Sequence, residues 1–238
     1  MEPLGIVSGA PGMGKALGSL EPVTAENEFG TAALMAGRGI VFLPRHGIEP
    51  SRYILPHRIN HAANMKALQD RGVREIVAVN STGSLKLNLE PGMIVVPDDF
   101  ISISSTATAL AFKPVHITPV LSGRIRSRLL EAAARCETPA VDGGVYWQTR
   151  GPRLETPAEI RFMGQFADIV GMTMASEAVV AQELGMEYAS LCSVDNYANG
   201  LVENPLSMEE ILENARRNQA VIKKIIIAYI EGRGHEIL

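Results

Sequence analysis

The 238-residue sequence is short of cysteine and of concentrated positive charge, and each shortage removes a class of protein. Two cysteines, Cys136 and Cys192, give neither a disulfide framework nor a metal-ligand spacing, which implies structural thiols in a reducing cytoplasm and no bound metal. The formal charge is −4 with no Lys/Arg-rich block, so a nucleic-acid partner is not expected. No charged leader followed by an apolar run opens the chain. The most apolar stretch, residues 222–230, is interrupted by lysines and too short to span a bilayer, so a soluble protein with no membrane partner is expected. What remains is a chain 46% hydrophobic and long enough to bury a full core, expected as one domain over residues 1–238 with a small-molecule ligand.

One stretch, residues 150–159, gathers turn residues, a carboxylate and a helix start. Gly151 and Pro152 break the preceding element, Thr156 is placed as an N-cap with Glu159 as its capping-box partner, and Pro157 suits the first helical position. Glu155 is left just ahead of the helix. It is either a solvated loop charge or a group aimed at a ligand.

Along the chain, residues 4–8 read as an apolar strand entering a glycine-rich turn, Gly9 to Lys15. Its Gly-x4-Gly-Lys spacing approaches a P-loop, but Ala16 stands where a hydroxyl should reach magnesium, and a dinucleotide fingerprint fails because Gly18 falls one residue late. A strand at 39–43 delivers Arg45 and His46, a planar fork and a near-neutral ring suited to an oxyanion; a surface ion pair is the bland alternative for Arg45. Asn60 caps a helix that runs to Arg71 and closes at Gly72, with His57 and His61 expected at the surface. A strand at 73–79 ends in Asn80-Ser-Thr-Gly-Ser84, small residues whose backbone an anion can approach closely. Residues 93–97 read as a strand with Asp98 and Asp99 as its polar end, and 102–119 as a long irregular connection that carries His116. A helix at 122–136, a strand at 143–149, a helix from Thr156, another through Leu184 and a strand at 188–194 delivering Asn196 follow. A last helix begins at Ser207 with Glu210 as capping-box partner and runs to about Glu231. This alternation predicts an α/β fold: a single domain with a mixed, mainly parallel central sheet flanked by helices.

Four motifs in order, Leu43-Pro-Arg-His-Gly47, Asn80-Ser-Thr-Gly-Ser84 with Glu90-Pro-Gly92 behind it, Gly151-Pro-Arg-Leu-Glu-Thr156 and Gly171-Met-Thr-Met-Ala-Ser-Glu177, resemble the trimeric purine nucleoside phosphorylase and methylthioadenosine phosphorylase family over nearly the whole chain. The resemblance implies phosphate-dependent cleavage of the bond between purine nitrogen 9 and ribose carbon 1. Phosphate is then a co-substrate, no metal or organic cofactor is needed, and a homotrimer or higher assembly follows by analogy. It assigns phosphate to Arg45, His46, Asn80, Ser81 and Thr173, and the ribose to Met172. The family's Ser or Thr after the first strand is replaced here by Ala10, so Ser8 substitutes or the backbone serves alone. Leu154, Glu155 and Asn196 fall at base-binding positions and Gly83 and Ala198 at substrate-binding ones, with His46, Glu155 and Asn196 in the catalytic roles. Glu155 with Asn196 resembles the 6-oxopurine type, since a carboxylate accepts the N1 proton that adenine lacks. Met208 stands where purine nucleoside phosphorylases place a histidine near the ribose 5′-hydroxyl, which favours a 5′-methylthio group. The expected substrate is 5′-methylthioinosine. Inosine, guanosine or methylthioadenosine are the alternatives, and a non-catalytic nucleoside-binding protein is the reading from another class. His116 resembles a residue that reaches from one subunit into the next active site.

Overall fold

The computed structural model describes residues 2–10, 12–104, 107–110, 114–203 and 207–234, so Pro11 of the glycine-rich turn and parts of the 102–119 connection lie outside the described residues. Strand β1 (Leu4–Ser8) is buried throughout and runs parallel to both β4 (Ile40–Pro44) and β5 (Glu75–Ser84). Between β1 and β4 come the one-turn helix α1 (Met13–Ala16) and a hairpin of β2 (Glu21–Asn27) and β3 (Gly30–Gly37), which extends the sheet antiparallel to β4. That hairpin was not expected. Its outer strand alternates exposed with half-buried positions, and its inward apolar stripe, Val23 and Ala25, is too short to betray it.

Helix α2 (His61–Asp70) has the expected N-cap, with Asn60 accepting from the Ala63 amide at 3.0 Å. Beyond β5 come β6 (Ile94–Val96), β7 (Asp99–Ile101), α3 (Gly123–Arg135), β8 (Ala140–Asp142), β9 (Val145–Gln148), α4 (Pro157–Met163) and β10 (Ile169–Gly171). Helix α5 (Met174–Glu183), β11 (Glu187–Tyr197) and α6 (Met208–Gly232) complete the order. Asp99, expected at a strand's polar end, opens β7 instead. Among the described residues the eleven strands form one mixed sheet that branches at β5, and six of its ten pairings are parallel.

Side chains of successive strand residues point to opposite faces, and here both faces are covered. Val7, Ile76 and Ala78 pack toward α2 and α5, whereas Ile6, Val77 and Val79 pack toward α3 and α6. Two motifs expected just past strand ends lie within strands: β5 runs on through Ser84 and β11 through Tyr197, and Asn80 pairs with Cys192 and Ser81 with Ser193. The ladder therefore satisfies their backbones while their small side chains remain available to a site. A register shift between Val194 and Asn196 makes Asp195 an extra, bulged residue, so the alternation resets where the site begins.

Candidate active site

A cavity of about 720 Å³ opens at the C-terminal ends of β1, β4, β5 and β11, the position where parallel sheets place ligands. Its wall brings together Ser8, Arg45, His46, Asn80, Ser81, Gly83, Leu154, Glu155, Met172, Thr173, Asn196 and Met208, which sequence reasoning had selected from segments far apart in the chain. Two selected residues stand elsewhere. Ala198 lies behind Gly83 in a small apolar cluster with Val170 and Trp147, and His116 is exposed on the 114–122 segment.

At one end the wall is a cradle of hydrogen-bond donors. The Arg45 side chain is 3% exposed, and its Nε and Nη2 donate to the two oxygens of Glu177 at 2.6 and 3.1 Å while Nη1 donates to the Val79 carbonyl at 2.6 Å. Burial draws the Arg45 pKa down, but the Glu177 charge and hydrogen bonds outweigh it and the net shift is upward. Three of five guanidinium protons are thus committed, leaving one on each terminal nitrogen. Glu177 itself is fully buried and also accepts from the Tyr188 hydroxyl at 2.8 Å. Neither partner of Arg45 was anticipated. Glu177 was visible only as the end of the motif that begins at Gly171, and nothing local ties it to a residue 132 positions earlier.

His46 donates from Nδ1 to the Ile54 carbonyl at 2.7 Å, because a carbonyl can only accept, and its ring stacks on Tyr53 with centroids 4.4 Å apart. Burial lowers its pKa, so near neutral pH the ring is uncharged and Nε2 is left as an acceptor. The β1–α1 turn lies directly against this pair: a Cβ on Gly9 would come 2.9 Å from His46 Cδ2 and 3.5 Å from Arg45 Nη1. In the same turn the Ser8 hydroxyl accepts from the Ala10 amide at 3.0 Å, which leaves its proton free to donate.

Asn80 is 1% exposed and is held on both sides, accepting from the Ser190 hydroxyl at 2.7 Å and donating to Thr173 Oγ1 at 2.9 Å. With its oxygen lone pair taken, the Thr173 hydroxyl can turn its proton toward an anion. Thr173 precedes α5, but the first amides of that helix are already engaged: the Tyr146 hydroxyl accepts from the Thr173 amide and Gln148 from the Ser176 amide. The hydroxyl, rather than these engaged amides, is the donor left open to the cavity.

The opposite end is built by the 150–159 stretch. Thr156 and Glu159 form the expected reciprocal capping box, while Ser207 accepts from the Glu210 amide without a reciprocal bond. Glu155 is 8% exposed, so it is not a solvated loop charge. One of its oxygens accepts from the Thr149 hydroxyl at 2.6 Å, its carbonyl accepts from Asn199, and no described residue bonds the second carboxylate oxygen. Gly83 gives room for the Asn196 amide, since a Cβ there would come 3.1 Å from Asn196 Nδ2. Met172 packs against Gly151, where a Cβ would lie 2.5 Å from its sulfur. Leu154 closes this end, and Met208, Ile211, Leu212 and Ala215 of α6 face Tyr53, Leu55 and Pro56 across an apolar mouth.

Two buried titratable groups lie near the cradle, and one departs from expectation. His61, placed at the surface by its position ahead of a helix, is 7% exposed, and burial lowers its pKa to about 4. Helix α2 turns its first residue inward toward Arg45 and Glu177, a tertiary fact that capping signals do not carry. Asp195 is fully buried on the cavity wall, accepts from Asn218 at 2.7 Å, and has its pKa raised by burial. Among the described residues no cluster of His, Cys, Asp and Glu could hold a metal, and no helix is long and apolar enough to cross a membrane.

The family model described as Phosphorylase superfamily matches residues 3–231. A protein of Archaeoglobus fulgidus named probable 6-oxopurine nucleoside phosphorylase is 40% identical over 217 residues, covering 89% of this chain and 88% of that protein. A protein of Methanocaldococcus jannaschii named probable S-methyl-5′-thioinosine phosphorylase is 36% identical over 234 residues, covering 95% and 91%. Among solved structures, methylthioadenosine phosphorylase from Schistosoma mansoni in complex with adenine superposes with a TM-score of 0.84 at 27% identity, over 98% of this chain and 92% of that one.

Proposed function

Since the chain belongs to the phosphorylase superfamily, we propose that its cavity cleaves 6-oxopurine nucleosides with phosphate, preferring 5′-methylthioinosine and releasing hypoxanthine and 5-methylthioribose 1-phosphate. An oxygen of monohydrogen phosphate forms a bond to ribose carbon 1 while the bond to purine nitrogen 9 breaks. The purine leaves with the bonding pair and ends with the proton that phosphate brought, so atoms and charge balance. The transition state carries positive charge on the sugar and growing negative charge on the base. Catalysis then needs an oriented nucleophile and donors facing the departing purine in a pocket that excludes water.

The free protons of Arg45 and the hydroxyls of Ser8 and Thr173 hold phosphate oxygens, with Asn80 and Ser81 completing the cradle. Neutral His46 accepts the phosphate proton at Nε2, a direction fixed by the Ile54 carbonyl at its other nitrogen. Met172 lies under the ribose, and the Asn196 amide donates to purine oxygen 6 or nitrogen 7. Phosphate is the co-substrate and no cofactor takes part. The exposed 114–122 segment with His116 supports a homotrimer in which this arm reaches a neighbouring site, and the two free cysteines suit a cytoplasmic protein.

The observation that carries the base preference is the buried Glu155 carboxylate with one oxygen unclaimed. It accepts the N1 proton of hypoxanthine or guanine. Adenine has no such proton, and a site left with an unpaired buried carboxylate can discriminate by roughly 10⁴. The apolar mouth around Met208, rather than a polar group, is what favours a 5′-methylthio substituent over a 5′-hydroxyl. Glu155→Ala should lower kcat/KM on 6-oxopurine nucleosides far more than it changes the KM for phosphate. Equal losses in both would remove Glu155 from its role.

A further inference from the structure

A phosphate dianion needs net positive charge around it, and the cavity as assembled has little. Arg45 is neutralised by Glu177 in a bidentate pair, His46 has a lowered pKa, and the remaining charged side chains on the wall are Glu155, Asp195 and Arg216. Arg216 is exposed, lines the cavity rim, and has no hydrogen bond or ion pair among the described residues. Its place on α6 sets it beside the β1–α1 turn. Gln219, one turn on, packs against the β1–α1 turn so closely that a Cβ on Gly12 would come 2.8 Å from its Nε2. Lys223, a further turn on, lines with Arg216 a cleft of about 220 Å³ against Gly12, Met13 and Ala16. Residues at these intervals share one helix face, so the two cations flank the turn that holds Ser8 and Ala10.

We infer that Arg216 is a phosphate-binding residue of this chain, supplying from α6 the unpaired charge that Arg45 cannot. This rests on the phosphorylase reading. The side chain approaches the phosphate from the open side of the cradle, where Ala10 offers no hydroxyl. Its long, unpartnered stem also lets it leave, so that phosphate enters along the cationic cleft and is gripped at the rim. The geometry thus divides the anion's needs: buried, fixed donors set the angle of attack, and an exposed guanidinium supplies attraction.

Steady-state kinetics of the full chain with varied inorganic phosphate test this. Arg216→Met should raise the phosphate KM about tenfold at low ionic strength, with kcat at saturating phosphate and the nucleoside KM changed less than about twofold. Arg216→Lys should recover most of the loss. Because the group is exposed, added KCl at about 0.3 M should raise the wild-type phosphate KM and narrow the gap to the methionine variant. Calorimetric titration with inorganic phosphate alone should show the same weakening, and a thermal melt matching wild type establishes that the variant is folded. A phosphate KM unchanged in Arg216→Met overturns the inference while leaving the phosphorylase reading intact. Base release that needs no phosphate in the wild type overturns both.

Discussion

Replacing Glu177 with glutamine tests the cradle's construction, because it keeps the shape and removes the charge. Its carboxylate takes two hydrogen bonds from Arg45, at 2.6 and 3.1 Å, and a third from Tyr188 at 2.8 Å, with the Arg45 and Glu177 side chains 3% and 1% exposed. In Glu177→Gln an amide nitrogen replaces one acceptor, so in either orientation a donor faces the guanidinium, and Arg45 is left as an unbalanced buried charge. Breaking a buried pair in this way costs about 3–5 kcal/mol. For a chain of this size each kcal/mol lowers Tm by about 2–4 °C, so a fall on the order of 10 °C is expected. The phosphate KM should rise with it, since the guanidinium loses the partner that sets its plane. The double variant Arg45→Met/Glu177→Leu separates the two effects: with no orphaned charge it should regain much of the stability and none of the phosphate affinity. Urea unfolding of the three proteins, alongside phosphate-dependent base release, supplies both readouts. A Glu177→Gln protein within about 1 kcal/mol of wild type, or a double variant as unstable as the single one, would refute the reasoning.

Thr173→Val removes the hydroxyl that Asn80 orients and should raise the phosphate KM about tenfold while the nucleoside KM holds; an unchanged phosphate KM would move the anion contact elsewhere. His61 predicts an acid-side loss of stability. Its folded pKa is about 4 against about 6.5 for an unfolded chain, so between these values the unfolded state binds more protons and stability falls as pH drops through the window. The His61 contribution to that fall approaches about 2 kcal/mol by pH 5, and His61→Phe should flatten the difference between pH 7 and pH 5 in urea unfolding by that amount. An undiminished difference would mean the ring is not held neutral.

The fold class and the strand ends that meet at the cavity were legible because their signals are local, while Thr173 and Met172 entered through the resemblance to a family. Strands of four or five apolar residues ending in Arg45-His46 or Asn80-Ser81 announce both a buried parallel sheet and a ligand edge, and Asn60, Ser122 and Thr156 mark helix starts with their own side chains. What stayed hidden was carried by partners distant in sequence. Strand β2 sits at the sheet's edge with half-wet side chains, and β7 and β8 are three-residue strands too short to show a period. Glu177, Tyr188 and His61 take their meaning from the packing of α2 against α5 and of α5 against the sheet, which no spacing records.

The most direct test of the central claim presents the purified protein, with phosphate, to methylthioinosine, methylthioadenosine, inosine, guanosine and adenosine separately, following free base. The account predicts phosphate-dependent cleavage fastest on methylthioinosine, then inosine and guanosine, with adenine nucleosides slowest. Faster cleavage of methylthioadenosine or adenosine than of their 6-oxopurine counterparts would contradict it.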